Sequence, residues 1–176
     1  MIRSVRRAWC GVMLLAAGPI AVSAQGARDF VSVDAPVVAL TNVKVVDGTG
    51  AAPRDDQTIL IERGRISWVG ASGSAKIPAN ARVLALPGHT VIPGMVGLHD
   101  HTFYGGGGWP FVHQPVSAPR LYLASGVTTI RTTGTNAPYQ DLILKRAIES
   151  GAEAGPRVDP TGALITGPGG NHGIMA

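Results

Sequence analysis

Two histidines separated by one residue, His99 and His101, are the side chains of this sequence best suited to bind a metal ion. They end an apolar segment, residues 95–101, whose composition predicts a β-strand. Side chains two positions apart on a strand share a face, so both imidazoles would point in one direction. Neutral imidazole is a good ligand for zinc and for other borderline divalent metals. The spacing therefore predicts part of a metal site, although two ordinary surface histidines on a loop give the same spacing.

The segments on either side of the histidine pair favour the metal site. Pro93 and Gly94 predict a turn before the strand, and a glycine run, residues 105–108, follows it. The histidines would then lie at the carboxyl end of the strand. In parallel barrels the active site lies at that end of the strands.

Three further side chains are candidates for substrate contact, because binding residues concentrate on loops near an active site. Tyr104 follows the histidine pair closely, and His113 comes after the glycine run, on a predicted loop above the site. His172 lies in a glycine-rich segment, residues 167–173, at the expected end of a later strand. A rim or loop position without function is the alternative for each of the three, and His89 is predicted as a turn residue. The sequence indicates no catalytic acid or base within this chain.

Residues 37–92 predict a compact unit of short β-strands. Its clearest element is a hairpin in which residues 58–61 and 65–69 form the strands. Residues 62–64 form the predicted turn, because the glycine at its end can adopt the positive φ that a tight hairpin needs.

From residue 93 the pattern alternates between strands and helices, which is typical of a parallel sheet built from βαβ units. The last strand is the weakest, because a proline and a glycine interrupt it. On the second helix the pattern places Leu142 and Ile143 on the apolar face and Asp141 on the polar face. The predicted strands and helices alternate over residues 95–101, 118–124, 126–131, 139–150 and 157–165.

Residues 1–24 predict a secretory signal peptide. Arg3, Arg6 and Arg7 form its basic start, an apolar stretch follows, and small residues close the segment. A membrane anchor is the alternative, but the apolar stretch is short for a span, which needs about 20 residues. The sequence therefore predicts export to the periplasm or secretion, a lead-in over residues 25–36, and no stable membrane span after signal removal.

Charge and composition predict a folded protein that does not bind nucleic acid. The 176 residues have a formal net charge of +4, but three of the cations lie in the predicted signal peptide and the rest are scattered. A nucleic-acid-binding surface needs clustered Lys and Arg. Apolar residues make up 45% of the sequence, which is enough for a core. The single cysteine, Cys10, falls in the signal peptide, so no disulfide is expected, and no feature indicates an oligomeric state.

Residues 91–101, with the sequence VIPGMVGLHDH, resemble the first barrel strand of the amidohydrolase superfamily. The resemblance is to its metal-dependent hydrolases similar to imidazolonepropionase and Xaa-Pro dipeptidase. Residues 40–48 and 61–66 resemble the N-terminal β-domain of that family. Residues 124–131 resemble its second barrel strand, and residues 155–157 resemble the approach to its third.

The resemblance implies an α/β fold in which residues 37–92 belong to a small β-sandwich and residues 93–176 form the first three βα units of an incomplete (β/α)₈ TIM barrel. It implies a hydrolase with a divalent metal, zinc being the preferred ion, that acts on a carbon–nitrogen bond of a small amide, cyclic amide or dipeptide. His99 and His101 would be metal ligands. The family's later ligands come from strands beyond the third, so a catalytically incomplete fragment is one alternative. An independent β-domain that binds a partner is the other.

The sequence departs from the family pattern at Gly97, where many members have an aspartate two residues before the first histidine. Any role of that carboxylate is either absent here or filled by Asp100. Asp100 is not expected to bind the metal, because strand alternation points its side chain away from the histidines.

Overall fold

The structure is a computed structural model, and it describes residues 26–106, 109–135, 137, 139–165 and 167. The predicted signal peptide and His172 lie outside these residues. No helix within the described ranges is long and apolar enough to cross a membrane. A 3-10 turn, Ala27–Phe30, precedes two α-helices, α1 (Ser117–Ala124) and α2 (Gln140–Glu149). The strands are β1 (Val37–Val45), β2 (Arg54–Glu62), β3 (Arg65–Ala71), β4 (Arg82–Ala85), β5 (Thr90–Val91), β6 (Met95–Asp100), β7 (Phe103–Gly106), β8 (Trp109–His113), β9 (Val127–Thr132) and β10 (Arg157–Asp159).

The first five strands form one sheet in the order β3-β2-β1-β4, with β5 also paired to β1. β2 is antiparallel to both of its neighbours, whereas β4 and β5 run parallel to β1. Side chains alternate along β1, and Val43 and Val45 pack with Ile59 of β2 in the buried core of this unit. The predicted β-unit is therefore present as a single mixed sheet, and its second sandwich layer stays a prediction.

The predicted hairpin joins β2 to β3 through a two-residue turn. Arg63 and Gly64 occupy the turn with φ angles of 48° and 72°. Positive φ at both central residues is the geometry of a type I′ turn, whose twist matches that of the paired strands.

Replacing Gly64 by alanine will destabilise the fold, because an L side chain at φ +72° is strained even though no atom lies within 4 Å of the added Cβ. We expect a loss of about 1 kcal/mol in the free energy of unfolding, measured by urea denaturation. Arg63→Asn is the control, since asparagine tolerates a positive φ and should cost little. Equal stability of Gly64→Ala and the parent chain would contradict the turn assignment.

The second sheet contains β6, β9 and β10, all parallel, in the order β10-β9-β6. α1 connects β6 to β9 and α2 connects β9 to β10, so the predicted βαβ pattern is confirmed. Ile130 of β9 and Val158 of β10 are fully buried in this layer. The exposed apolar side chains of the sheet lie instead on β6, where Val96 and Leu98 are mostly in solvent.

Two features of this part differ from the sequence predictions. The predicted loop after the histidines is an antiparallel hairpin, β7 paired with β8, and His113 ends its second strand. On α2 the predicted faces are wrong, because Asp141 is buried with Leu144, while Leu142 and Ile143 are exposed. Asp141 lies three residues before Leu144, and side chains three apart on a helix share a face. The carboxylate on this buried face is paired with a hydroxyl, because Thr102 donates a hydrogen bond to Asp141.

Candidate metal site

His99 and His101 lie at the carboxyl end of β6. The strand ends at Asp100, one residue earlier than predicted, and His101 immediately follows it. The two imidazole rings are neighbours, with centroids 5.4 Å apart and planes at 89°. The His-x-His spacing thus brings the rings together on one side of the chain.

His101 is the more enclosed of the two imidazoles. Its Nδ1 atom is buried and has no hydrogen-bond partner. Its ring lies 4.7 Å from the ring of Phe103, which in turn lies 5.6 Å from the ring of His113. The structure therefore brings His113 beside the pair, with the buried Phe103 between His113 and His101.

Tyr104 reaches the site through a second tyrosine that the sequence did not single out, Tyr122 of α1. The Tyr122 hydroxyl donates to the carbonyl oxygen of His101 at 3.0 Å and also forms a hydrogen bond with the Tyr104 hydroxyl. Since the one proton of Tyr122 goes to the carbonyl, Tyr104 must donate to Tyr122. Burial raises the pKa of Tyr122, and the Tyr104 hydroxyl and the Asp100 carboxylate raise it further. Tyr122 therefore remains a neutral donor at physiological pH.

A β-bulge places Asp100 and Gly97 on the same face of β6. Gly97 pairs with Ile130 and Asp100 pairs with Thr132, so two residues of β6, 98 and 99, lie opposite one residue of β9, 131. Ile130 and Thr132 are both buried, and paired residues share a face, so Asp100 lies on the covered face. Alternation would then put the two histidines, which flank Asp100, on the opposite face.

The space at Gly97 is filled by the Asp100 carboxylate. A Cβ atom added to Gly97 would lie 1.7 Å from Oδ2 of Asp100, which is far inside contact distance. That Oδ2 atom is buried and without a hydrogen-bond partner. The Asp100 side chain thus occupies the space that any side chain at position 97 would need.

The residue after His101 is held by α2. The Thr102 hydroxyl donates to Oδ1 of Asp141 at 2.6 Å, and each residue is only 2% exposed. Sequence reasoning missed Asp141 because its charge suggested a solvent-facing position. The available signal was its helical spacing from Leu144 and Ile148, three and seven residues later.

The donor set suits a divalent cation but supplies only part of a site. Two adjacent imidazoles, one with a buried nitrogen free of other hydrogen bonds, match the ligand preference of zinc. No group of three His, Cys, Asp or Glu side chains within the described ranges is arranged to hold a metal ion. His89 does not belong to this site, because it lies exposed in a turn of the first sheet. Its Nδ1 atom is 3.3 Å from the Pro87 carbonyl oxygen.

Comparisons with known proteins agree with this architecture. No family model matches the chain. An imidazolonepropionase from Mycolicibacterium smegmatis is 32% identical over 115 residues, which are 63% of this chain and 28% of the relative. The crystal structure of a candidate prolidase from Bifidobacterium longum superposes with a TM-score of 0.65 and 31% identity, covering 77% of this chain and 32% of that one. The structure of a molinate hydrolase superposes with a TM-score of 0.59 and 26% identity. The match covers 76% of this chain and 31% of the molinate hydrolase chain.

These similarities cover 63% to 77% of this chain but a minor part of each relative. The chain spans about three tenths of the length of the proteins it matches. The resemblance of the His-x-His segment and the likeness of the fold to hydrolases of this kind agree with each other. The chain is therefore related to the amidohydrolase superfamily over the part of its length that these comparisons cover.

Proposed function

We propose that this chain is part of an exported metal-dependent hydrolase that acts on carbon–nitrogen bonds of small molecules. The observation that supports this most strongly is the pair of imidazole rings, 5.4 Å apart, at the carboxyl end of a strand in a parallel sheet. Active sites of parallel α/β folds lie at that end of the strands. The relatives named as an imidazolonepropionase and a molinate hydrolase support the reaction class.

In this proposal His99 and His101 are ligands of one divalent cation, preferably zinc, and Asp100 is not a ligand because it faces the opposite side of the strand. A divalent cation held there would supply Lewis-acid chemistry for a carbonyl and for water. The protein's own contribution is to hold the two imidazoles in place and to shape the surrounding surface.

The hairpin β7–β8 supplies the candidate substrate contacts. His113 lies next to Phe103, one ring away from His101. Tyr104 lines a cavity of about 370 Å³ between the hairpin and α1, together with Tyr122 and Gln114. An amide, a cyclic amide or a dipeptide has both the hydrogen-bonding groups and the size for such a surface. His172 is the third candidate contact, and it stays a prediction.

We further propose a barrel fold and an exported location for this protein. The parallel sheet β6-β9-β10 with its two helices is the start of a TIM-like barrel. Residues 1–24 direct the chain to the periplasm or to secretion. The alternative is a catalytically incomplete fragment, and it rests on the two-imidazole donor set of the described residues.

The test is zinc affinity in a competition assay with a chromophoric chelator. His99→Ala and His101→Ala should each lower the affinity about tenfold or more, equivalent to roughly 1.4 kcal/mol, because each removes one of two chelating imidazoles. His89→Ala is the matched control and should leave the affinity unchanged, because it lies in a turn of the other sheet. Equal zinc affinity of the parent chain and the His99 and His101 variants would overturn the proposed metal site.

A further inference from the structure

Two consecutive residues at the end of the histidine strand are each fixed by a different helix. The carbonyl oxygen of His101 accepts a hydrogen bond from Tyr122 of α1 at 3.0 Å. The hydroxyl of Thr102 donates to Asp141 of α2 at 2.6 Å. The backbone that bears His101 is thus attached to both helices that cover the sheet.

The bond to Asp141 is the stronger of the two attachments. A hydrogen bond to an ionised carboxylate is about twice as strong as a neutral one, and 2.6 Å is within its short range. Asp141 is 2% exposed and sits in the first turn of α2, where the helix dipole favours a negative charge. Thr102 is buried to the same degree, so water does not compete for this contact.

Packing alone does not account for a carboxylate at this position. Asp141 shares its helix face with Leu144, and an apolar side chain there would bury without any loss of hydration. Burying an acid is costly unless its partners offset the cost, and the described partner of its Oδ1 atom is the residue next to His101.

We propose that Asp141 is a positioning residue for the histidine pair, acting through Thr102 to hold the His99 and His101 rings against each other. The importance of Asp141 for metal binding rests on the proposed function. Its effect on the position of the two rings does not, because that position can be measured in the metal-free chain. Asp141 touches neither imidazole, and its effect passes through one hydroxyl and one peptide unit.

The experiment uses the whole chain with isotope-labelled histidine rings. The first readout is the nuclear Overhauser contact between the His99 and His101 rings without metal, which their 5.4 Å separation allows. The second is zinc affinity by chelator competition. Asp141→Ala and Thr102→Val should lose the ring contact, and their zinc affinity should fall about 10-fold, in the range seen when a residue that orients a ligand is removed.

Conservative variants separate positioning from simple loss of stability. Asp141→Asn and Thr102→Ser keep an acceptor and a hydroxyl, so both should retain the ring contact and stay within about threefold of the parent affinity. The double variant Asp141→Ala with Thr102→Val should bind zinc no more weakly than either single variant, because both single changes remove the same hydrogen bond. Leu144→Ala is the matched control, because it loosens the packing of the same helix and leaves both partners of the Thr102–Asp141 hydrogen bond unchanged.

The outcomes distinguish this inference from the proposed function. Asp141→Ala with an intact ring contact would overturn the inference, and so would an equal loss of the contact in Leu144→Ala at matched stability. If Asp141→Ala abolishes the contact but the parent chain binds no zinc through its histidines, the positioning role is upheld and the proposed metal site is refuted.

Discussion

The 176-residue chain will bind zinc weakly and will not hydrolyse dipeptides or cyclic amides, even with zinc in excess. A catalytic zinc site generally needs three protein ligands and a water molecule, and the described residues supply two imidazoles and no third group of suitable geometry. With two protein ligands in place of three, the ion would be held more weakly than in such a site. The measurement is the appearance of new amino groups in a panel of dipeptides and cyclic amides, with and without zinc.

A longer chain that adds a Lys or Glu, two histidines and an aspartate on later strands, as the family resemblance implies, should gain both tight binding and turnover. In that chain His99→Ala should abolish activity, while His89→Ala should not. Robust turnover by the 176-residue chain that disappears in His99→Ala would contradict the prediction. The missing ligands would then have to come from a second copy or from His113 and His172.

Substituting aspartate for Gly97 will destabilise the chain, although it installs the residue that many family members have there. The new Cβ would lie 1.7 Å from Oδ2 of Asp100, so the Asp100 side chain must leave its rotamer. Two carboxylates would also share one partly buried space, and like charges at short range repel. We expect a loss of about 2 kcal/mol in the free energy of unfolding, measured by urea denaturation.

Removing the Asp100 side chain should rescue this variant. Gly97→Asp combined with Asp100→Ala transfers the carboxylate from one position to the other, so the double variant should regain more than half of the lost stability. Gly73→Asp is the matched control, since no atom lies within 4 Å of a Cβ built at Gly73. If the stability losses of Gly97→Asp and Asp100→Ala simply add in the double variant, Asp100 does not occupy the space at Gly97.

Local pattern was sufficient to predict the order of the elements apart from the β7–β8 hairpin. The β2–β3 hairpin follows from a glycine at one of the two turn positions that need a positive φ, and the structure has Gly64 at +72°. The parallel sheet follows from alternating strand and helix patterns, because parallel strands need a helical crossover between them. The pairing of the His99 and His101 rings follows from the two-residue period of a strand.

Contacts between distant segments decided the rest. The hairpin β7–β8 was predicted as a loop, because the glycine run gives a weak strand signal and only cross-strand pairing stabilises it. Asp141 was predicted on the solvent side, because the hydroxyl that makes its burial possible lies 39 residues earlier in the chain.

For Asp100 and Gly97, the sequence determined the residue types and the likeness to a known strand. Whether the Asp100 side chain fills the space at Gly97 depends on the β-bulge in β6. That bulge is visible only in the register of β6 with β9 in the folded sheet. The chemistry of the histidine pair can therefore be read from its spacing. Its support by Thr102, Asp141 and Tyr122 is a property of tertiary structure, because hydrogen bonds between segments far apart in sequence form only when the helices pack on the sheet.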